Sequence, residues 1–251
     1  MSRRRFLRGL TSALATSLLT ACDDLSRSSW FPKLLGSVEP LNRGLHKALT
    51  SRTSMAQEFD ESDISPTFRS NGTALPNDAA YQRMAGNGFA DWQLVVDGLV
   101  EQPARFTLDE LRAMRSRTQI TRHDCVEGWS AIGKWTGTPL AEVLSRVRPT
   151  SAARYVVFHC ADPMNRGGDR YYESIDMEDA FHPQTILAYE LNGARLPVEN
   201  GAPIRVRVER QLGYKMAKYI MRIELVDDFS GINGGRGGYW EDRGYEWYAG
   251  I

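Results

Sequence analysis

Short runs of β-branched and aromatic residues recur between residues 92 and 228 and constrain the fold more than any other feature. The runs at 92–100 and 153–160, "WQLVVDGLV" and "ARYVVFHC", are typical strands, and the first contains an Asp-Gly turn signal. Similar runs occupy residues 118–125, 171–176, 184–191, 202–210 and 219–228. Because the helix signals between them are brief, the pattern predicts an α+β domain built on mixed β-sheets.

Three short segments carry helix-start signals. Thr107 and Glu110 have the spacing of a capping box and predict a helix within residues 106–115. In "TGTPLAEVLSRV" (136–147), Thr138 is the predicted N-cap and Pro139 the first helical residue. A further short helix is predicted after a cap at Asp176.

Arginine alternates with apolar residues in "APIRVRVER" (202–210), which predicts a strand with one buried face. The other face would carry Arg205 and Arg207, and the simplest interpretation of Arg207, Arg210 and Lys215 is a solvated charge. The C-terminal tail is rich in glycine, but its aromatic residues between 239 and 248 favour packing over disorder.

Charge and cysteine content exclude several classes of protein. The 251 residues carry 31 basic and 31 acidic side chains, so overall charge gives no argument for nucleic acid as a partner. The three cysteines, Cys22, Cys125 and Cys160, are too few for a disulfide-rich scaffold.

The N-terminus is typical of an export signal. "SRRRFLRGL" is similar to a twin-arginine signal, a short apolar stretch follows, and "LLTAC" resembles a lipoprotein processing site with Cys22 as the lipidated residue. We therefore expect an export signal at 1–22, a tether and arm at 23–76, and a folded domain at 77–251. The predicted location is periplasmic, with a lipid anchor on the membrane.

The residues around Cys125 leave its role open. It stands two residues after His123 in "TRHDCVEGWS", and Cys160 directly follows His159. A buried apolar thiol, a disulfide with Cys160, a zinc ligand and a nucleophile with a histidine base are all compatible with this composition. The spacing is not that of a common zinc site, and Gly128 interrupts any helix that would activate a nucleophile.

Four segments together resemble one enzyme family. In order and spacing, "CVEGWSAIGKWTGTPLAEVL", "YVVFHCAD", "HPQTILAYELNGARLPVENGAPIRVRV" and "LGYKMAKYIMRIEL" are similar to the sulfite-oxidase family of molybdopterin-dependent oxidoreductases. The resemblance covers residues 77–227 and is closest to the exported bacterial branch that includes the catalytic subunit of periplasmic methionine-sulfoxide reductase. It implies molybdenum on molybdopterin and oxygen-atom transfer on a small substrate such as a sulfoxide or a sulfite-like compound.

The resemblance also implies the site residues. Cys125 matches the family's molybdenum ligand, and a soft thiolate suits that metal. Arg205 ends the matched Asn-Gly-Ala-Pro-x-Arg stretch, and its planar fork suits phosphate or pterin oxygens. Cys160 stands where the exported branch has threonine, and Asn77 or Asp78 only loosely matches the family's upstream asparagine. The implied cofactor contacts are Asn77, Tyr81, Gln82, Cys160, Asn200, Arg205, Met216, Ala217 and Lys218.

The substrate side is less defined by the sequence. Relatives that oxidise sulfite bind the anion with arginines, for which Arg122, Arg166 and Arg170 are the candidates here. The haem and dimer domains of sulfite oxidases have no counterpart in the chain, so we expect a separate redox partner, a membrane haem protein or a soluble cytochrome. The alternative is a non-catalytic binding module that keeps the fold without active metal, motivated by Cys160 and the weak match near Asn77.

Overall fold

The structure, a computed structural model, describes most of the chain in two units. The described residues are 25–49, 51, 53–165 and 168–251. The predicted signal at 1–22, Cys22 and Arg166 lie outside the described residues. The first unit ends at Thr50 and the second spans Ser51–Ile251.

The described part of the first unit contains two complete helices that the sequence analysis did not predict. They are α1 (Phe31–Gly36) and α2 (Val38–Leu49). In the described part of the chain, no helix has the length and apolarity needed to span a bilayer.

In its described residues, the second unit is built mainly from ten strands. They are β1 (Gln93–Gly98), β2 (Ala104–Thr107), β3 (Arg117–Cys125), β4 (Trp129–Pro139), β5 (Tyr155–Pro163), β6 (Arg170–Asp176), β7 (Ile186–Leu191), β8 (Ala194–Arg195), β9 (Arg205–Arg207) and β10 (Ile220–Val226). The helices are α3 (Ala79–Gly86), α4 (Leu108–Ala113), α5 (Leu140–Val147) and α6 (Met177–Ala180). The predicted α+β class is confirmed.

The strands form two five-stranded sheets. The first has the order β2-β1-β10-β5-β6 and is mixed, because β1 and β10 are parallel while the other pairs are antiparallel. The second has the order β3-β4-β7-β8, with β9 on β7, and its pairs are antiparallel. A large apolar core, which includes Trp92, Leu144, Phe158 and Ile223, packs α3, α4 and α5 against these strands.

The helix start predicted at Thr138 is wrong. Strand β4 continues to Pro139, and α5 begins only at Leu140 without a side-chain cap. The Thr138 hydroxyl instead donates to the carbonyl of Leu111 at 2.6 Å. A tertiary hydrogen bond thus uses the hydroxyl that the local pattern assigned to a cap. The predicted capping box at Thr107 and Glu110 and the cap at Asp176 are confirmed.

The segment before the predicted domain lies against the second sheet. The backbone N–H of Phe59 donates to the carbonyl of Ile120 at 2.9 Å, and that of Ser65 donates to Ile132 at 3.0 Å. Phe68 packs edge-on against Trp135, with ring centroids 5.0 Å apart. These contacts bring the following residues, 70–73, close to the site described next.

Candidate active site

A tight hairpin presents the Cys125 thiol. Strand β3 ends at Cys125 and β4 begins at Trp129, so the hairpin loop has three residues. Gly128 adopts a φ of 85°, which few other residues tolerate, and its N–H donates to the Cys125 carbonyl at 3.0 Å. Cys125 is half-buried at the hairpin tip, and burial raises the pKa of the free thiol. Metal binding there would therefore have to release a proton.

Cys125 lies on the wall of a cavity of about 170 Å³. Six parts of the chain form the wall: the hairpin loop, the arm at 71–73, the end of β5, the start of β6, the segment 213–218 and the C-terminal tail. The described lining residues are Asn71, Gly72, Thr73, Cys125, Val126, Glu127, Asp162, Met164, Tyr171, Gly213, Tyr214, Met216, Lys218, Trp240 and Tyr245. Of the predicted contacts, Cys125, Met216 and Lys218 thus share one cavity.

Lys218 joins the arm to the domain. Its ammonium donates to the carbonyls of Asn71 and Thr73, both at 2.6 Å, and of Glu199 at 2.9 Å. Burial, together with the nearby Arg205 guanidinium, lowers the pKa of Lys218 to about 7. The ammonium therefore holds both sides of the cavity together and is easily neutralised.

Arg205 and Asn200 lie beside this lysine and keep free donors. Arg205 Nη1 donates to the Asn200 carbonyl at 3.0 Å, and Nη2 donates to the Met216 carbonyl at 3.2 Å. Among the described residues, neither Arg205 Nε nor Asn200 Nδ2 has a hydrogen-bond partner. Burial, then the Arg207 charge, lowers the pKa of Arg205 to about 9. Ala217, another predicted contact, is buried next to Met216.

His123 supplies a third free donor on the face of β3 that also carries Cys125. Arg207 Nη1 donates to His123 Nδ1 at 2.9 Å, which places the imidazole proton on Nε2. Burial and the charge of Arg207 hold the pKa of His123 well below its ordinary value, so the ring is neutral. Within the described residues, Nε2 has no hydrogen-bond partner.

The predicted exposure of Arg205, Arg207 and Lys215 is wrong. All three side chains are fully buried. Arg207 donates to both carboxylate oxygens of Glu209, at 2.9 and 2.6 Å, and lies 4.5 Å from the Trp135 ring centroid. Strand β9 is buried on both faces. The alternation of arginine with apolar residues therefore did not indicate a face exposed to solvent.

The structure does not bring the other predicted cofactor contacts to the cavity. Tyr81 is buried in α3 and donates to the Ala202 carbonyl at 2.6 Å. Asn77 and Gln82 are exposed, and Gln82 donates to the Pro76 carbonyl at 2.9 Å. Cys160 is buried in the apolar core. Their contact with a cofactor stays a prediction.

The candidate substrate arginines in the described chain have other partners. Arg122 is exposed, and its Nε lies 2.9 Å from Asp124. Arg170 pairs with Asp78 at 2.6 Å and also donates to the Ala161 carbonyl. Neither residue lines the cavity. The disulfide alternative is wrong, because Cys125 and Cys160 are both free thiols.

Asp162, His123, Trp240 and Tyr245 were not predicted as site residues. Asp162 is buried on the cavity wall, and its Oδ1 has no hydrogen-bond partner among the described residues. For His123, the available signal was its position two residues before Cys125 on the same predicted strand, which places both side chains on one face. Trp240 and Tyr245 could not be assigned to the site from local sequence patterns, because they reach the cavity through tertiary packing.

Residues 82–231, more than half of the chain, match the family described as the oxidoreductase molybdopterin binding domain. The chain belongs to this family. It is an oxidoreductase with a molybdopterin-binding domain, as the resemblance implied, and the alternative of a non-catalytic module is not supported.

Several named proteins are similar to this molybdopterin-binding oxidoreductase. A relative from Azospira oryzae, provisionally named protein-methionine-sulfoxide reductase subunit YedZ1, is 38% identical over 99% of this chain and 88% of its own. The protein-methionine-sulfoxide reductase catalytic subunit MsrP of Xanthomonas axonopodis is 43% identical over 54% of this chain and 45% of its own. The sulfane dehydrogenase SoxCD of Paracoccus pantotrophus aligns over 55% of this chain and 39% of its own, with TM-score 0.49 and 22% identity. The sequence relatives confirm the predicted branch.

The residues that line the cavity, and the buried polar residues directly beside them, fit a molybdopterin. The unpartnered donors of Asn200, Arg205 and His123 need acceptors, and a pterin and its phosphate carry many oxygen and nitrogen acceptors. Asp162 adds an unpartnered acceptor for a pterin N–H or a proton. A buried polar group without a partner is costly, so this set of four indicates a polar ligand site.

Proposed function

We propose that this chain is an exported molybdenum enzyme that removes the oxygen atom of a sulfoxide. The observation that carries the proposal is the cavity lined by Cys125, together with the buried, unpartnered donors of Asn200, Arg205 and His123 that lie beside its lining residues Met216 and Gly213. When bound, the molybdenum cofactor supplies two-electron oxygen-atom transfer.

In this proposal, Cys125 holds the metal and the other polar groups hold the pterin. A thiolate is a soft ligand, and the hairpin fixes its position. Arg205, Asn200 and Lys218 neutralise and orient the anionic end of the cofactor. His123 donates its Nε2–H, because Arg207 occupies the other ring nitrogen.

The walls of the cavity favour a sulfur compound over an anion. Met164, Tyr171, Trp240 and Tyr245 give the cavity polarisable and aromatic surface, which suits a thioether or a sulfoxide. The relatives are named for the reduction of methionine sulfoxide in proteins, which supports the same substrate here. The two described candidate arginines are engaged elsewhere, which argues against a sulfite-like substrate.

Reduction of a sulfoxide consumes two electrons and two protons and yields a sulfide and water. The electrons come from a separate donor, a membrane haem protein or a soluble cytochrome. We assign proton donation to Asp162, whose buried carboxyl has a free oxygen on the cavity wall. Export and a lipid on Cys22 would place the enzyme at the periplasmic side of the membrane.

The first test is the metal content of Cys125→Ser. Protein matured in a molybdopterin-competent host should contain about one molybdenum per chain and show a thiolate-to-metal absorption band. Cys125→Ser should lose this band and the reduction of methionine sulfoxide by a reduced dye. Cys160→Ser, the matched cysteine variant in the core, should keep the band. Wild-type protein that matures without molybdenum would refute the proposal.

A further inference from the structure

Helices α1 and α2 carry an apolar stripe that faces solvent. Leu41, Leu45 and Leu49 in α2 are 70%, 59% and 78% exposed, and Leu34 and Val38 are also exposed. Leucine side chains of this exposure cost free energy in water, and single exposed leucines are common but contiguous stripes are not. The stripe therefore indicates a partner surface.

The spacing of the α2 residues places them on one side of that helix. Val38, Leu41, Leu45 and Leu49 follow one another at intervals of three, four and four residues. The exposed ring of Trp30 stands directly before α1. Aromatic residues at the end of an apolar stripe are typical of helices that lie in the headgroup region of a membrane.

The charge of residues 31–49 and the length of α2 indicate which kind of partner the stripe binds. Residues 31–49 contain Lys33, Arg43 and Lys47 against Glu39, so this helical stretch is basic. A two-fold pair of such helices would bring like charges together, whereas anionic lipid would attract them. The 12-residue α2 has about 18 Å of length, less than the ~30 Å of a hydrocarbon core.

We propose that the apolar stripe of residues 34–49 binds the surface of an anionic lipid bilayer, with α2 parallel to the membrane plane. A bilayer accepts an apolar stripe without needing a matching shape, which fits a face made almost wholly of leucine. This surface would retain the enzyme at the membrane independently of any lipid on Cys22.

The test uses full-length, molybdenum-loaded protein with Cys22→Ser, so that no acyl chain contributes. We expect co-sedimentation with phosphatidylcholine vesicles that contain phosphatidylglycerol, weaker binding to phosphatidylcholine alone, and weaker binding at high salt. Leu41→Ser with Leu45→Ser should reduce the affinity by about tenfold or more. Leu75→Ser, an exposed leucine outside the stripe, is the matched control and should bind like the parent.

Two results would overturn the proposal. One is vesicle binding that is absent in the Cys22→Ser parent or unchanged in the double leucine variant. The other is a concentration-dependent dimer, seen by sedimentation equilibrium, that the double variant abolishes, since this would assign the stripe to a second copy of the chain. Molybdenum content and circular dichroism of each variant check that the protein is folded and loaded.

Discussion

Asp162 is a buried carboxyl on the cavity wall, and its surroundings shift its pKa. Burial raises the pKa of this carboxyl to about 6, although a hydrogen bond from Thr73 and the charges of Lys218 and Arg170 act in the opposite direction. The phenols of Tyr81 and Tyr219 also interact electrostatically with the Asp162 carboxyl. An acid with this pKa exists in both forms near neutral pH, which suits a group that donates a proton and recovers it.

The substitution Asp162→Asn should abolish the pH dependence of kcat and most of the activity. The protonated carboxyl is the donor, so wild-type kcat should fall as pH rises through about 6, and the variant should lack this limb. We expect kcat for methionine sulfoxide to fall by about 10²- to 10⁴-fold, with molybdenum content unchanged. Steady-state rates with a reduced dye between about pH 5 and pH 8 measure both effects.

Asp169→Asn is the control for this prediction. Asp169 is exposed and bonded to Asn165, so its loss should leave the pH profile in place. A wild-type profile in Asp162→Asn would exclude proton donation by Asp162. Loss of the pterin from Asp162→Asn would show instead that the carboxylate holds the cofactor.

The sequence led to Cys125, the proposed metal ligand, but not to most of its surroundings. Cys125, Arg205 and Lys218 were predicted because their spacing resembles the family's motifs, and the structure brings all three close to one cavity or onto its wall. The burial of Lys215 could not be predicted, because its partners Glu173 and Glu241 are far away in the sequence. Buried charges of this kind are defined by tertiary pairing, which local patterns do not encode.

At the level of elements, the β3–β4 hairpin positions the site, and β4, like β2, was a strand that the sequence analysis missed. Its glycines lower the apparent strand propensity. At Gly137 the reason is steric, since a Cβ there would lie 2.3 Å from the carbonyl oxygen of Leu187 on β7. The close approach of β4 and β7 therefore requires glycine at position 137, although glycine by itself has a low propensity for strands.

Gly213→Ala should disturb the site through the same kind of contact. A Cβ at this position would lie 2.5 Å from His123 Cε1 and Nε2, and this buried ring is held by Arg207. We expect a loss of about 1–3 kcal/mol in the free energy of unfolding, measured in urea, and reduced molybdenum content. Gly231→Ala, where a Cβ meets nothing within 4 Å, should change stability by less than about 0.5 kcal/mol. Equal effects of the two substitutions would contradict the steric argument.

For the molecule as a whole, the C-terminal tail is part of the site. Trp240 and Tyr245 line the cavity, and the predicted packing of the aromatic tail is confirmed. A buried ion cluster fixes this tail: the Lys215 ammonium contacts Glu173 on β6 and donates to Glu241 in the tail at 2.6 Å. Because Lys215 adjoins Met216, the cluster connects the tail directly to the turn that borders the cavity.

Lys215→Met should therefore loosen the tail and destabilise the protein. Without the ammonium, Glu173 and Glu241 face each other in an environment where burial already raises the pKa of Glu173 well above its ordinary value. We expect a loss of about 3–5 kcal/mol at neutral pH. Because the pKa of Glu173 is raised in the folded protein, the stability of the variant should recover as pH falls and this carboxyl takes up a proton. Urea unfolding across pH, with limited proteolysis of the tail, measures these effects.

Two further variants make this prediction specific to the buried cluster. Lys134→Met removes a lysine that pairs with Glu61 at the surface, and it should cost no more than about 1 kcal/mol, because solvent screens that pair. Adding Glu173→Gln and Glu241→Gln to Lys215→Met removes the unpaired charges and should restore most of the lost stability. A Lys215→Met protein as stable as the Lys134→Met protein, with an equally protected tail, would show that packing of the aromatic residues alone holds the tail on the cavity.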